Sequence, residues 1–167
     1  RLQRQVGITF VLVTHDQEEA LIMSDKIAVM FEGQIAQIAD PQTLYRRPLS
    51  REVAEFIGTM NLLPADLQIN DGLKAKIPGL GCVTLSENQC PAGIPRNGAL
   101  LGIRPEMMAI VFPGETPKGA TREARVESRD YYGDMTYYRV KIPEMSQSLT
   151  VSMKNLEGRP ILDPGAD

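Results

Sequence analysis

Glycine and proline are unevenly spread along this 167-residue chain, and that limits what it can fold into. Residues 1–60 contain three Gly and two Pro, whereas residues 61–167 contain eleven Gly and ten Pro. Both residues interrupt regular structure, Gly through its freedom at positive φ and Pro through its missing amide donor. A stretch nearly free of them can hold helices. A stretch broken this often reads as short strands joined by turns. The chain therefore divides into two parts, 1–60 and 61–167.

In the first part, "ITFVLV" is a continuous apolar run, as expected of a strand covered on both faces. Thr14 with Gln17 matches a capping-box pattern, so a helix is expected to start there and run to about Ser24. "KIAVMF" reads as a second strand, Glu32-Gly33 as a turn, and "QIAQIA" as a third strand with alternating faces. "ADPQTLYRRP" places a cap at Asp40, a proline in the first helical turn and a proline stop at Pro48. "SREVAEFIG" is a further short helix between Ser50 and Gly58. "RLQRQVG" reads as the tail of a helix ending at Gly7, so a fragment or trimmed chain is expected. The sum is the end of an α/β domain.

In the second part the strand candidates are "LLPADLQI", "LKAKI", "GCVTL", "ALLGI", "MMAIVF", "ARVESRDYY", "MTYYRVKI" and "SLTVSM". Turn pairs fall between them at Asp71-Gly72, Asn97-Gly98 and Gly133-Asp134. Eight short strands point to a small antiparallel barrel or sandwich.

Composition excludes several classes. Apolar residues make up 43% and charged residues 23%, both globular values, and the net charge is −3. The richest basic run, Lys118 to Lys141, carries six positive and four negative residues, which reads as a solvated face. Nothing is basic enough to bind nucleic acid by counterion release. Cys82 and Cys90, with one His in the chain, are too few soft ligands for zinc. There is no run of eighteen apolar residues and no signal-peptide pattern, so nothing here enters a membrane by itself.

The single histidine, His15, follows the apolar run and precedes the acidic start of a helix. The carboxyl end of a parallel strand faces the ligand crevice of an open α/β sheet, and helix amides also point there. A neutral imidazole in that place suits a phosphate or a positioned water. By position alone His15 reads more readily as a polar cap or surface residue than as a ligand contact. Glu18 and Glu19 are favoured by the helix dipole and need no function.

The stretch "VTHDQEEALIMSDKIAVMFEGQIAQIADPQTLYRRPLSREVAEFIG" resembles the end of the ATP-binding subunit of an ABC importer, in the branch serving maltose-type sugars, polyamines, iron and related solutes. "LLGIRPEMMAIV" and "VESRDYYGDMTYYRVKI" resemble its β-rich accessory domain, called TOBE, with "YYGD" where "YLGD" is usual. The resemblance implies an α/β C-terminal remnant of a P-loop nucleotide-binding domain over residues 1–60, then an all-β, OB-like TOBE barrel over residues 61–167. It places on His15 the role of the switch histidine that reaches the γ-phosphate of ATP and the attacking water.

For "GIRPE" (Gly102 to Glu106) the residues favour a structural turn over ligand contact. For Tyr131, Tyr132, Tyr137 and Tyr138 they favour cross-strand packing over ligand stacking. The phosphate loop GxxxxGK[ST], a "LSGGQ"-type signature and a strand ending in Asp-Glu are not in this sequence. The chain alone is therefore not expected to hydrolyse ATP, and a longer parent would use ATP and Mg²⁺. The resemblance further implies a homodimer, transmembrane permease subunits, an indirect solute-binding protein and a peripheral place on the cytoplasmic face of a bacterial inner membrane. "YYGDMTYY" leans toward the polyamine branch. The family pattern continues into a last apolar strand, so an open sheet edge is expected at the end of this chain. The alternative reading is a regulatory module whose barrel binds a solute or an oxyanion.

Overall fold

The computed structural model describes residues 7–69, 72–86, 89–90, 98–117 and 119–167. The helix tail expected in residues 1–6, and Asp71 and Asn97 of two turn pairs, lie outside the described residues. The chain forms two compact units, Arg1–Gly58 and Thr59–Asp167.

The first unit holds α1 (Gln17–Met23), β1 (Ile27–Phe31), β2 (Gln34–Ala39), α2 (Pro41–Arg46) and α3 (Arg51–Phe56). The turn between β1 and β2 puts Glu32 at φ 48° and Gly33 at φ 79°. Positive φ at both positions is what a primed two-residue hairpin turn requires, and the two strands pair antiparallel. Each short helix is started by a side chain. Asp40 accepts a hydrogen bond from the Thr43 amide at 3.0 Å with Pro41 in the first turn, and the Ser50 hydroxyl accepts from the Val53 amide at 3.3 Å. The Thr43 side chain and amide hold the Asp40 carboxyl below its ordinary range. Ile27, Val29, Leu44, Val53 and Ile57 form the core of this unit.

Two expectations fail here. "ITFVLV" forms no strand, and Val11 and Val13 are 88% and 92% exposed. A continuous apolar run becomes a doubly covered strand only between neighbouring strands, and none flanks it among the described residues. Of the expected order strand, helix, strand, strand, helix, helix, the described residues hold all but the first strand, as one antiparallel hairpin and three short helices. In β2 the alternation is also misleading, because Ile35 and Ile38 are exposed while Gln37 is 5% exposed. The carboxamide of Gln37 donates to the Arg47 carbonyl at 3.1 Å and accepts from the Leu49 amide at 2.9 Å. It satisfies the chain where α2 ends, which outweighs burying an isoleucine there.

Among the described residues the second unit is built of β-strands, with a 3₁₀ turn at Pro105–Met107. Its strands are β3 (Asn61–Gln68), β4 (Leu73–Ile77), β5 (Gly81–Leu85), β6 (Ala99–Ile103), β7 (Arg125–Tyr131), β8 (Met135–Lys141) and β9 (Leu149–Lys154). They form a four-stranded sheet in the order β5-β4-β3-β6 and a three-stranded sheet in the order β7-β8-β9, both antiparallel. This is an OB-like β domain. β3 pairs with β6 over residues 61–65 and with β4 over residues 66–68. Pro64 sits in the half that is paired on one side only, where its missing donor costs no ladder bond. "MMAIVF" is not a strand. Its even positions, Met108, Ile110 and Phe112, pack on the core without a hydrogen-bonded partner strand. Period-two burial reports which face a chain turns inward, and not whether it is paired.

Asn61 joins the two sheets. It is 6% exposed and stands at the head of β3. Its carboxamide donates to the Thr150 carbonyl at 2.8 Å and accepts from the Thr150 amide at 2.7 Å, while also donating to the Ile103 carbonyl at 3.1 Å. One side chain thereby acts as a strand partner for β9 while closing the end of β6. Around this splice lie Leu63 of β3, Tyr138 and Val140 of β8, and Leu149, Val151 and Met153 of β9.

Residues 165 and 166 make backbone bonds to Val126 of β7. The Val126 amide donates to the Ala166 carbonyl at 2.8 Å, and the Gly165 amide donates to the Val126 carbonyl at 2.7 Å.

Asn61→Ala is expected to destabilise the second unit by about 1–2 kcal/mol, because it leaves the amide and carbonyl of the half-buried Thr150 without their partner. Asn61→Asp is expected to cost at least as much, since a carboxylate cannot donate to either carbonyl. Urea unfolding of the two variants checks both, and a loss below about 0.5 kcal/mol would show that the splice is dispensable.

Candidate functional site

Thr14, His15 and Asp16 connect the exposed apolar run to α1. Asp16, not Thr14, is the N-cap, and its carboxylate accepts from the Glu18 and Glu19 amides at 2.9 and 3.1 Å. The Thr14 hydroxyl accepts from the Asp16 amide at 3.0 Å and donates to Glu19 Oε2 at 2.9 Å. A capping box normally returns the N3 carboxylate to the cap amide. Here the Thr14 hydroxyl lies between them and relays that bond. The expected pairing of Thr14 with Gln17 is therefore corrected to Asp16 with Glu19, bridged by Thr14.

Two consequences bear on ligand contact. The amides at the start of α1 are occupied by Asp16, so they do not add an anion site to His15. The His15 side chain itself is exposed and makes no hydrogen bond among the described residues. Its neighbours on both sides are fixed to the first turn of α1, which leaves the imidazole turned to solvent between two anchored residues. Alone, that arrangement offers one imidazole ring to a ligand and no cradle for phosphates.

The other singled-out residues fall elsewhere, on the second unit. In "GIRPE", β6 ends at Ile103, and Arg104 is buried and donates from Nη1 to the Thr59 carbonyl at 3.0 Å. Pro105 is buried at the head of the 3₁₀ turn. A Cβ at Gly102 would collide with the Met60 sulfur. Every described contact of this motif is structural.

The tyrosines divide by position. Tyr138 is fully buried, and its hydroxyl accepts from the Leu162 amide at 3.3 Å. Tyr132 and Tyr137 meet edge to face, with centroids 5.6 Å apart and planes at 82°, so they pack on each other and present no parallel platform. Tyr131 is 61% exposed. Cys82 and Cys90 are both free thiols. Among the described residues no group of three or more His, Cys, Asp or Glu gathers to hold a metal. No described helix is long and apolar enough to cross a membrane.

The residue that reading by pattern missed is Asn61. An isolated Asn at the head of an apolar strand reads as a turn former, and only the contact across to β9 shows its bonding role.

Residues 101–167 match the family model described as TOBE domain. Among curated relatives, the chain is 42% identical to the Spermidine/putrescine import ATP-binding protein PotA of Rubrobacter xylanophilus, over 86% of this chain and 37% of that protein. It is 41% identical to Spermidine/putrescine import ATP-binding protein PotA 1 of Pseudomonas aeruginosa, over 92% of this chain and 40% of that protein. It is 34% identical to the Spermidine/putrescine import ATP-binding protein PotA of Pseudomonas fluorescens, over 99% of this chain and 44% of that protein. The chain thus spans less than half the length of these relatives.

Asp16→Ala is expected to destabilise α1 by about 1 kcal/mol and to lower helical signal, whereas Asp16→Asn retains most of the cap. Circular dichroism with thermal unfolding reads both. Equal loss in the two variants would contradict capping by the side-chain oxygen.

Proposed function

Because the chain is related to the C-terminal part of the ATP-binding proteins of ABC importers and carries a TOBE domain over residues 101–167, we propose that it forms that part of a polyamine-import ATPase subunit. The observation that supports this reading most is the identity of 34–42% to spermidine/putrescine import ATP-binding proteins, sustained over 86–99% of the chain. The domains in this reading are residues 1–60, the end of the nucleotide-binding domain, and residues 61–167, the accessory TOBE domain.

ATP and Mg²⁺ supply the cleaved phosphoanhydride and its charge neutralisation when bound. The residues of this chain fit one part of that site. His15 is the contact to the γ-phosphate side, held open by the Thr14 and Asp16 anchors on either side of it. The imidazole donates a hydrogen bond to an oxygen or orients a water through its ring nitrogens. Cradling the other phosphates falls to residues outside this sequence, since the α1 amides are already taken by Asp16.

The subunit works as a homodimer, peripheral to the cytoplasmic face of a bacterial inner membrane. It acts against transmembrane permease subunits, with a solute-binding protein delivering polyamine from the other side. The TOBE domain serves as the accessory body of that dimer.

His15→Ala, placed in a longer ATP-binding polypeptide that carries this chain and assembled with its permease subunits, is expected to reduce ATP turnover by about a hundredfold or more. ATP affinity should stay within a few-fold of wild type. Near-normal turnover would reduce His15 to a link between the apolar run and α1, and would shift the functional case to a binding role of the TOBE domain.

A further inference from the structure

Residues 159–166 lie along the second unit as a strap, and the Leu162 amide within it donates to the buried Tyr138 hydroxyl at 3.3 Å. Arg159 Nη2 meets Glu115 Oε1 at 2.7 Å, and its guanidinium lies 5.2 Å from the centroid of the Phe112 ring. Glu115 also accepts from the Phe112 amide at 3.0 Å, and the Phe112 amide and Arg159 together hold its carboxyl below the ordinary range. Further along, Arg129 of β7 donates to the Leu162 carbonyl at 2.9 Å and pairs with Asp163 at 2.8 Å. At the far end, Gly165 and Ala166 make the two backbone bonds to Val126. Leu162 and Ala166 rest against the core.

The strap contributes no strand to the sheet, yet it takes both backbone groups of Val126 on the side of β7 away from β8. Past Val126 the β7 ladder shifts register between Val126 and Ser128. From Ser128 to Tyr131 no backbone bond other than those to β8 is made among the described residues. An unpaired strand edge is a template for pairing with another chain. The side chains along this one are self-complementary. Arg125, Glu127, Arg129 and Asp130 mix both signs, so an antiparallel copy can face Arg125 with Asp130.

We propose that residues 159–166 are an edge guard: by closing β7 at Val126 they block pairing of β7 with the β7 of a second copy. Two arginines with side chains about a third exposed, the Leu162 amide on the Tyr138 hydroxyl and the apolar contacts of Leu162 and Ala166 hold the guard. It adds no strand to either sheet, so its release leaves both ladders intact.

The test compares the wild-type chain with two variants by sedimentation across a concentration series, with amide hydrogen exchange on the same samples. Deletion of residues 159–167 removes the guard. Gly165→Pro leaves its length intact but removes the donor to Val126 and cannot adopt the φ of 94° found there. Both are expected to self-associate at least about tenfold more tightly than wild type, with new protection confined to the amides of residues 128–131. Unchanged association of a folded variant, or tighter association without that protection, would overturn the proposal. Unfolding of both variants would overturn it as well, because residues 159–166 would then be part of the core and not a guard over it.

Discussion

The carboxamide of Asn61 fixes the second unit. It gives Thr150 of β9 both a donor and an acceptor, and it gives Ile103 of β6 a donor. Among the described residues no backbone ladder joins the four-stranded sheet to the three-stranded one, so Asn61, together with the Gln147 carboxamide that donates to the Leu62 carbonyl at 2.8 Å, supplies directional links between them. Apolar packing of Leu63 against Tyr138, Leu149 and Val151 supplies the adhesion but not the register. A buried amide that meets three partners is specific in a way that apolar contact is not, because any slip of β9 leaves polar groups unpaired.

The first unit rests on the same kind of device used several times at smaller scale. Asp16, Asp40 and Ser50 each start a helix of six or seven residues, too short to persist by propensity alone. Gln37 closes the turn after α2. Side-chain oxygens and amides thus do for these helices what length does for longer ones. The apolar residues of the unit are split between a small core of five and an exposed set that includes Val11, Val13, Met30, Ile35 and Ile38.

Much of this was legible in the residues, and what was not shares one cause. β4, β5 and β6 coincide with runs picked out by alternation and turn residues, and α2 and α3 with their caps and prolines. These elements are specified within a few residues of themselves. The run at residues 8–13 and the segment at residues 107–112 failed as strands because a strand is defined by its partner, and apolar pattern is silent about partners. Gln37 and Asn61 were missed because a buried polar residue is explained by the distant groups it satisfies. His15 was singled out by its position between an apolar run and an acidic helix start. In the structure it is exposed, with Thr14 and Asp16 on either side bonded to the first turn of α1. The relay through Thr14 was not readable, because Thr14 and Asp16 are both good caps and only geometry chooses between them.

Asn61 ties β9 to the head of β3 in the second unit. Native-state hydrogen exchange at the Thr150 amide tests the splice most directly. If Asn61 holds the two sheets as one body, this amide exchanges only with global unfolding of the second unit, at the rate of Tyr138 in the core strand β8. Exchange at the rate of an exposed loop amide, while Tyr138 stays protected, would show that the sheets part independently and that Asn61 does not join them.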